Sequence, residues 1–421
     1  MSHIRLLITV LTLSASALSF ASYTLFIKYL GASPAMDALF YASSVPLSLA
    51  GTCSGVLLYL LPPHLARLRA QQQGCVLRVF SYGVGAAVFA SCAVIGAWKH
   101  WQPDHAPACL LIGFVVVAGL SLIATLAVCL GQARGAYLGS GLMPFVASTG
   151  LGLGAFAAVR WHAESLLLVG QLIGAAGSVA VAAQGLVFHR LRGVTLDVRL
   201  GMRALRPLKP HALAIVLGTT AFTLFQPIDA LLCSQLGDGA VTIMAYAVRV
   251  VVATGTAVSL GAFAVAARTS HEAFLAGGPS GLRSLAYREV ARICAFGTLI
   301  WVVYALGASR LLVAVLQSSS LPVHSIDRLT DVLFWMLLGV GPMSAVPYLF
   351  RVFYSQSHFG VAAAIGVCIA PAYGALAWLG MNRLGLTALG YSYAAVWWVA
   401  FSACLLCLRW TLRDSGSGSA S

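Results

Sequence analysis

Long apolar runs of about 20 residues, separated by short stretches rich in charged residues, proline or glycine, recur along the whole chain. A run of this length spans the hydrocarbon core of a bilayer as an α-helix. The pattern predicts twelve transmembrane helices, at residues 4–30, 35–61, 76–98, 106–131, 137–159, 164–188, 212–236, 239–267, 290–316, 327–354, 359–380 and 386–411. We therefore expect an all-α polytopic membrane protein.

The longest polar stretches between the predicted helices are 189–211 and 268–289. The first carries six basic residues and one aspartate, and it divides the helices into two sets of six. We expect an N-lobe at 1–188, a basic cytoplasmic linker at 189–211 and a C-lobe at 212–411. The linker is expected to rest on anionic lipid headgroups. Residues 412–421, rich in glycine and serine, are expected to form a flexible tail.

Composition excludes a water-soluble globule, because 60% of the residues are hydrophobic and only 9% are charged. The net charge of +14 would suggest nucleic acid as a partner for a soluble protein, but here topology explains it better. Most of the 25 basic residues fall in loops on the same side as the N-terminus, which predicts that both termini are cytoplasmic. The 10 cysteines lie mostly inside apolar segments, so we interpret them as small apolar residues rather than as disulfides or metal ligands.

Few ionisable residues lie within the predicted spans, and each is therefore a candidate functional residue. Asp37 opens the second helix, Asp229 lies in the seventh, Arg249 lies in the eighth and Asp331 begins the tenth. Asp37 is suited either to helix capping or to a functional role, and Asp331 is expected at the interface. Asp229 and Arg249 could form a structural ion pair. Alternatively, the guanidinium of Arg249 would bind a phosphate, for which its fork of donors is suited.

Softer polar residues line the first helix, including Ser16, Ser22 and Tyr23, and Gln226 accompanies Asp229 in the seventh. Such residues serve either close helix packing or a polar cavity wall. The histidines fall in loops or at helix ends, so no zinc site within the membrane is expected. The sequence has no phosphate-binding loop of the P-loop type, which disfavours a mechanism driven by ATP on this chain.

Three segments resemble the MurJ/MviN lipid II flippases of the multidrug/oligosaccharidyl-lipid/polysaccharide exporter superfamily. The stretch Leu30–Ala42 (LGASPAMDALFYA) is similar to the family signature across helices 1 and 2. Ile228-Asp229, then Gly239–Val241 and Tyr246–Val250 (YAVRV), resemble the signature of helices 7 and 8. Arg351–Ser355 (RVFYS) is similar to the motif at the cytoplasmic end of helix 10 and includes Tyr354.

The resemblance implies a V-shaped bundle of two six-helix lobes that alternates access around a central cavity. It implies a flippase, not an enzyme, that moves a polyprenyl-phosphate-linked saccharide across the bacterial inner membrane and needs no cofactor. By analogy, Arg249 would bind the pyrophosphate and Asp37 would help to close the outward gate. We expect a monomer surrounded by membrane lipids, with proteins of cell-envelope biosynthesis as candidate partners. Resetting the empty carrier is expected to use Asp37 or Asp229, with the coupling ion, H⁺ or Na⁺, left open.

The chain departs from the family pattern where family members place arginines in helices 1 and 2. The aligned positions are Ser16, Ser22 and Ala50, and a family acidic residue aligns with Gly55. Family members also carry fourteen helices. A related but different lipid-linked saccharide, or a less anionic glycolipid than lipid II, would fit this weaker charge. Two further alternatives are a cation-coupled multidrug-type antiporter and a degenerate transporter that serves as a scaffold in an envelope glycan pathway.

Overall fold

The computed structural model describes residues 2–101, 107–134, 136, 138–188, 197–317, 319, 321–356 and 358–414. Every regular element within these ranges is helical, as expected for an all-α membrane protein. The fold divides into two compact units, Met1–Val216 and Leu217–Ser421. Of the predicted linker, 189–196 lie outside the described residues, and of the predicted tail 415–421 do; residues 412–414 belong to the last helix.

The helices of the first unit are α1 (Ser2–Leu30), α2 (Pro34–Leu65), α3 (Ala70–Trp101), α4 (Ala108–Ala133), α5 (Leu138–Trp161), α6 (Leu166–Phe188) and the short α7 (Val198–Leu205). α8 (Lys209–Thr223) leads into the second unit. The other helices there are α9 (Phe225–Cys233), α10 (Ala240–Val303), α11 (Ser309–Gln317), α12 (Val323–Leu338), α13 (Val340–Ser355), α14 (Phe359–Leu384) and α15 (Thr387–Asp414).

Nine helical segments of the described chain are long and apolar enough to cross a membrane, or ten if the bent pair α12–α13 is one span. The two other predicted spans correspond to the pair α8–α9 and to the shorter apolar segment Ala240–Thr256. The twelve predicted spans therefore all have helical counterparts, but several are interrupted.

Two of these interruptions have a local cause in the sequence. The predicted seventh helix breaks at Leu224, three residues before Pro227, which lacks the N–H that would bond the preceding turn. The predicted tenth helix bends by 40° where α12 ends and α13 begins, at Gly339. Conversely, the expected loop 268–289 is largely helical, because α10 continues through it with one kink at Gly278. Gly278 has φ 58° and ψ −151°, a backbone conformation that L-residues with a side chain rarely adopt.

Glycines let the helices of the first unit approach closely. A Cβ on Gly154 of α5 would lie 2.7 Å from the Cα of Gly170 on α6, and one on Gly170 would overlap the backbone of Gly154. The α5–α6 pair is thus in backbone contact. α1 packs on α5, and α2 packs on α4.

In the second unit, α10 packs on α12 and α13, and α14 packs on α15. Contacts here also use glycine: a Cβ on Gly366 of α14 would lie 2.6 Å from the Cα of Gly218 on α8. These contacts hold the broken pair α8–α9 beside α14. The buried carboxyl side chain of Asp229 lies on α9.

Candidate substrate and coupling site

The polar residues predicted on the first helix lie inside the first unit. Ser22 is 5% exposed, and its hydroxyl donates to the carbonyl of Leu18 on the same helix at 2.7 Å. A Cβ on Gly152 of α5 would lie 3.2 Å from the Ser22 Oγ, so Ser22 faces the α1–α5 contact. Tyr23 is 2% exposed, with its ring 5.9 Å from that of Phe40 on α2.

Ser16 lies one and a half turns before Ser22 on α1 and is half-buried. The structure therefore places Ser16 in a more accessible position than Ser22 and Tyr23. A role for any of these three side chains in substrate binding remains a prediction.

Asp37 lies in the first turn of α2, where a negative charge is favoured by the helix dipole. The N-cap is Ser33, whose hydroxyl accepts from the Met36 N–H at 3.3 Å, and Pro34 begins the helix. Asp37 is half-buried. The cap is thus supplied by Ser33, and a gating or coupling role for Asp37 remains a prediction.

Asp229 lies in α9, five residues after the break at Leu224, and is 5% exposed. The hydroxyl of Tyr373, on α14, donates a hydrogen bond to its Oδ1. The other carboxylate oxygen, Oδ2, has no hydrogen-bond partner among the described residues. Among the residues that the structure describes, Asp229 is hydrogen-bonded to Tyr373 and makes no ion pair with Arg249. The structural ion pair considered from the sequence is therefore not formed in this conformation.

Four aromatic rings, which we call the aromatic enclosure, pack together, and one of them, Tyr373, bonds this carboxyl: Phe225, Tyr373, Tyr393 and Trp397. Phe225 stacks on Tyr373 with ring centroids 4.3 Å apart and on Trp397 at 5.4 Å. Tyr393 packs edge-on against Phe225 at 5.4 Å. All four are at most 5% exposed. The carboxyl of Asp229 on α9 is therefore bonded to α14 through Tyr373, whose ring belongs to a buried aromatic cluster that also includes α15.

Gln226 precedes Asp229 by three residues in α9 and is half-buried, as is Pro227. Broken helices in transporters often carry ion or substrate sites, because their free backbone groups can bind ligands. The position of Gln226 and Asp229 directly after a break fits this pattern.

Arg249 lies in the first part of α10, on the more accessible side of the helix. Its neighbours Tyr246, Ala247 and Val251 are fully buried, whereas Arg249 is half-buried and Val252 is 46% exposed. The guanidinium is therefore held on a helix that is anchored along its other side. This arrangement suits a cation that must remain able to meet a ligand.

Tyr354, at the end of α13, fills the space between α8 and α14. Its ring stacks on that of Phe359 at 5.6 Å, and a Cβ on Gly218 would lie 2.5 Å from its hydroxyl oxygen. Arg351 lies one turn earlier and is half-buried. The motif thus closes one end of the α8–α13–α14 contact, and any functional role for its two residues remains a prediction.

The structure brings Asp229 together with Tyr373, and through its ring with Tyr393 and Trp397, three residues that sequence reasoning missed. Each is a polar-tipped aromatic residue within a predicted span. That property was a usable signal, but it is shared by aromatic residues at membrane interfaces. Only the packing of α14 and α15 against α9 identifies these particular side chains.

A model of the family described as lipid II flippase MurJ matches residues 26–416. A search of curated proteins finds no match. Among solved structures, the fold is similar to that of a lipid II flippase MurJ in an inward closed conformation. The TM-score is 0.77 and the identity 12%, with 96% of this chain and 87% of that chain covered.

Two MATE transporters have a similar fold. An inward-facing multidrug resistance MATE family transporter of the MOP superfamily gives a TM-score of 0.74 at 13% identity, with 100% of each chain covered. A MATE transporter from Vibrio cholerae gives 0.64 at 17% identity, with 98% of each chain covered. At these identities the likeness shows the fold alone, so it does not choose between a lipid and a drug as cargo.

Proposed function

Because the chain belongs to the lipid II flippase MurJ family, we propose that it moves a polyprenyl-phosphate-linked saccharide from the inner to the outer leaflet of the bacterial inner membrane. It is a multi-pass membrane transporter rather than an enzyme. The observation that carries the proposal is the family match, which extends over residues 26–416. Alternating access of the two units, with both termini cytoplasmic and a monomeric carrier, is part of the same proposal.

The physical problem for such a carrier is the polar headgroup. Moving a saccharide phosphate unaided through about 30 Å of hydrocarbon would break its hydrogen bonds to water without replacing them. A polar path through the protein supplies replacement partners while the lipid tail stays in the bilayer. The carrier therefore needs a cation for the phosphate and hydrogen-bonding groups for the sugar.

Arg249 is the residue we propose for the phosphate. Its guanidinium can form two parallel hydrogen bonds to one phosphate, which binds more strongly and with more directional preference than a lysine would. It projects from the accessible side of α10, whose other side is buried. Gln226, which is half-buried, is proposed to contribute hydrogen bonds along the path. Ser16, Ser22 and Tyr23 of α1 would add to it only if the first unit also contacts the substrate, and the variant Ser22→Ala tests this.

The membrane potential could drive this export without ATP. Each negative charge that moves outward gains about 2.3 kcal/mol per 100 mV of inside-negative potential. The membrane potential would therefore favour the outward movement of a headgroup that carries one or two negative charges.

The test is to extract the protein with its surrounding lipids in an amphipathic polymer and to identify the bound lipids by mass spectrometry. We expect a polyprenyl-phosphate-linked saccharide to be enriched with the wild type and lost in Arg249→Ala. Arg328→Ala removes an exposed arginine of α12 and serves as the matched control, which should retain the lipid. Ordinary phospholipids alone, equal in all three samples, would contradict the proposal and favour a multidrug-type antiporter or a scaffold.

We further propose Asp229 as the residue that couples transport to a cation. A charged carboxylate in the aromatic enclosure would lack a partner on Oδ2 within the described chain, and burying an unpaired charge is costly. Binding a proton or Na⁺ removes that cost, and releasing it restores the cost. A conformation that opens this site to water would change its occupancy, which links ion binding to the transport cycle.

Ion dependence of transport in reconstituted vesicles tests this coupling. Asp229→Asn keeps the shape of the side chain but cannot change its charge, so we expect transport to lose its dependence on an H⁺ or Na⁺ gradient. Asp238→Asn, in the exposed turn after α9, is the matched control and should keep it. Unchanged ion dependence in Asp229→Asn would exclude Asp229 and leave Asp37 as the candidate. That outcome would not affect the lipid assignment tested with Arg249.

A further inference from the structure

The short helix α7 is built into the end of the first unit where α2 turns into α3. A Cβ on Gly201 would lie 2.8 Å from the carbonyl oxygen of Cys75 on α3, so the two backbones are in close contact. His64, in the last turn of α2, hydrogen-bonds the carbonyl oxygen of Ala204 at 2.7 Å. Asp197 caps the helix by accepting from the Leu200 N–H at 3.0 Å.

The side of α7 that faces the first unit is covered. Ala204, Leu205 and Leu208 pack against a buried cluster that includes Leu65 and Val76. Because α2 ends and α3 begins here, α7 lies at the level where the membrane spans end. A short helix anchored at this level is within reach of the boundary between hydrocarbon and headgroups.

The remaining surface of α7 is exposed and has two parts. Val198 and Met202, one turn apart, are each 51% exposed. Arg199, Arg203 and Arg206, spaced by four and three residues, lie on the adjacent side and are all exposed. The helix therefore presents two apolar side chains at the edge of its buried face, and a row of three cations next to them.

This charge pattern selects the partner. Apolar side chains beside a row of cations fit a bilayer surface, where they meet acyl chains and phosphates respectively. A neutral protein surface would offer no anions to the arginines. Water would offer no apolar contact to Val198 and Met202. The only acidic residue from 189 to 211 is Asp197, whose carboxylate is engaged in the cap. Against six basic residues in the same stretch, this single carboxylate leaves a net positive charge that favours anions.

We propose that α7 is an anionic-phospholipid-binding surface, with Val198 and Met202 entering the headgroup region and Arg199, Arg203 and Arg206 binding lipid phosphates. This surface binds bulk phospholipid and is separate from the transported lipid, so it does not depend on the proposed function. Its effect is to fix this end of the first unit to membranes that contain anionic lipid.

Hydrogen–deuterium exchange of the full chain in nanodiscs tests the surface. One nanodisc contains only phosphatidylcholine, and the other contains about one third phosphatidylglycerol. Each arginine near an anionic surface contributes about a fivefold gain in affinity, so three give roughly 100-fold. We expect amide exchange in 197–206 to be at least tenfold slower in the anionic nanodisc. High salt should reduce the difference, because exposed charges are screened.

Three variants, each with three arginines replaced, test whether the arginines of α7 cause the difference between the nanodiscs. Replacing Arg199, Arg203 and Arg206 together by alanine should abolish the difference between the nanodiscs, whereas replacing them by lysine should retain most of it. Arg288→Ala, Arg292→Ala and Arg409→Ala, combined, remove three exposed arginines of the second unit and should leave it unchanged. Equal exchange in the two nanodiscs for the wild type would overturn the proposal, as would full retention in the triple alanine variant. Either result would mean that the three arginines do not bind anionic lipid at the membrane surface.

Discussion

In the first unit, buried hydroxyls such as those of Ser22 and Ser178 donate to backbone carbonyls, whereas in the second unit the carboxyl of Asp229 is bonded by the hydroxyl of Tyr373 from another helix. Ser178 donates to the carbonyl of Gly174 at 2.8 Å, one turn before it. A hydroxyl satisfied in this way adds little beyond close packing. An ionisable group with one unpartnered oxygen can respond to its surroundings.

The backbone shows the same contrast. α5 and α6 are uninterrupted and meet through glycine, while α8–α9 and α12–α13 are broken within the predicted spans. Close-packed continuous helices resist change, since small displacements cause overlap. Broken helices supply free backbone groups and points of bending. We infer that the first unit provides a rigid support and that the second unit contains the responsive chemistry.

The largest expected effect comes from breaking the glycine contact of the first unit. Gly170→Val would place a branched side chain against the backbone of Gly154, where even one Cβ overlaps. We expect a loss of about 3 kcal/mol or more of unfolding free energy, because overpacking against backbone cannot be relieved by side-chain motion. The apparent melting temperature, followed by tryptophan fluorescence in lipid-like detergent, measures it.

The control for this change is Gly85→Val on α3, where no heavy atom lies within 4 Å of the added Cβ. That variant should melt close to the wild type. Equal melting temperatures for the two variants would show that the α5–α6 contact is not what stiffens the first unit.

Gln73 is the next test, because its amide ties three segments of the first unit together. Its Nε2 donates to the carbonyls of Leu65 at 2.7 Å and Leu68 at 3.1 Å, and its Oε1 accepts from Arg134 at 3.0 Å. Gln73→Met keeps the volume but leaves these groups without that partner, at a cost of about 2 kcal/mol. Thermal unfolding should show the loss.

If Gln73 is purely structural, the lipids bound by the folded fraction should not change. Gln235→Met, at an exposed position after α9, is the matched control. A changed lipid profile with unchanged stability would contradict the separation of roles between the units.

In the second unit, Tyr373→Phe removes one hydroxyl and leaves both oxygens of Asp229 without a tyrosine donor. We expect a smaller stability loss, about 1 kcal/mol, because the carboxyl can take up a proton or cation instead of remaining charged and unpaired. The ion concentration that half-saturates transport should shift, and its measurement in vesicles is the decisive readout. Tyr391→Phe, on an exposed position of α15, should leave it unchanged.

The sequence predicted the helical class and the positions of the spans because hydropathy over about 20 residues depends only on local composition. It also singled out Asp229 and Arg249, since ionisable residues within apolar runs are rare. It did not predict the breaks at Leu224 and Gly339, because proline and glycine are tolerated inside many membrane helices. The partner of Asp229 was missed because Tyr373 is 144 residues away and reaches it only through tertiary packing.

The smallest expected effect is that of Ser22→Ala, and it is the sharpest test of the comparison. Its hydroxyl bonds the Leu18 carbonyl of its own helix and faces Gly152, so its removal should change the unfolding free energy by less than about 0.5 kcal/mol. If the first unit is a support, transport and bound lipids should also be unchanged, with Ser402→Ala on α15 as the exposed control. A several-fold loss of transport without a loss of stability would instead place the polar face of α1 on the substrate path. The responsive chemistry would then belong to both units.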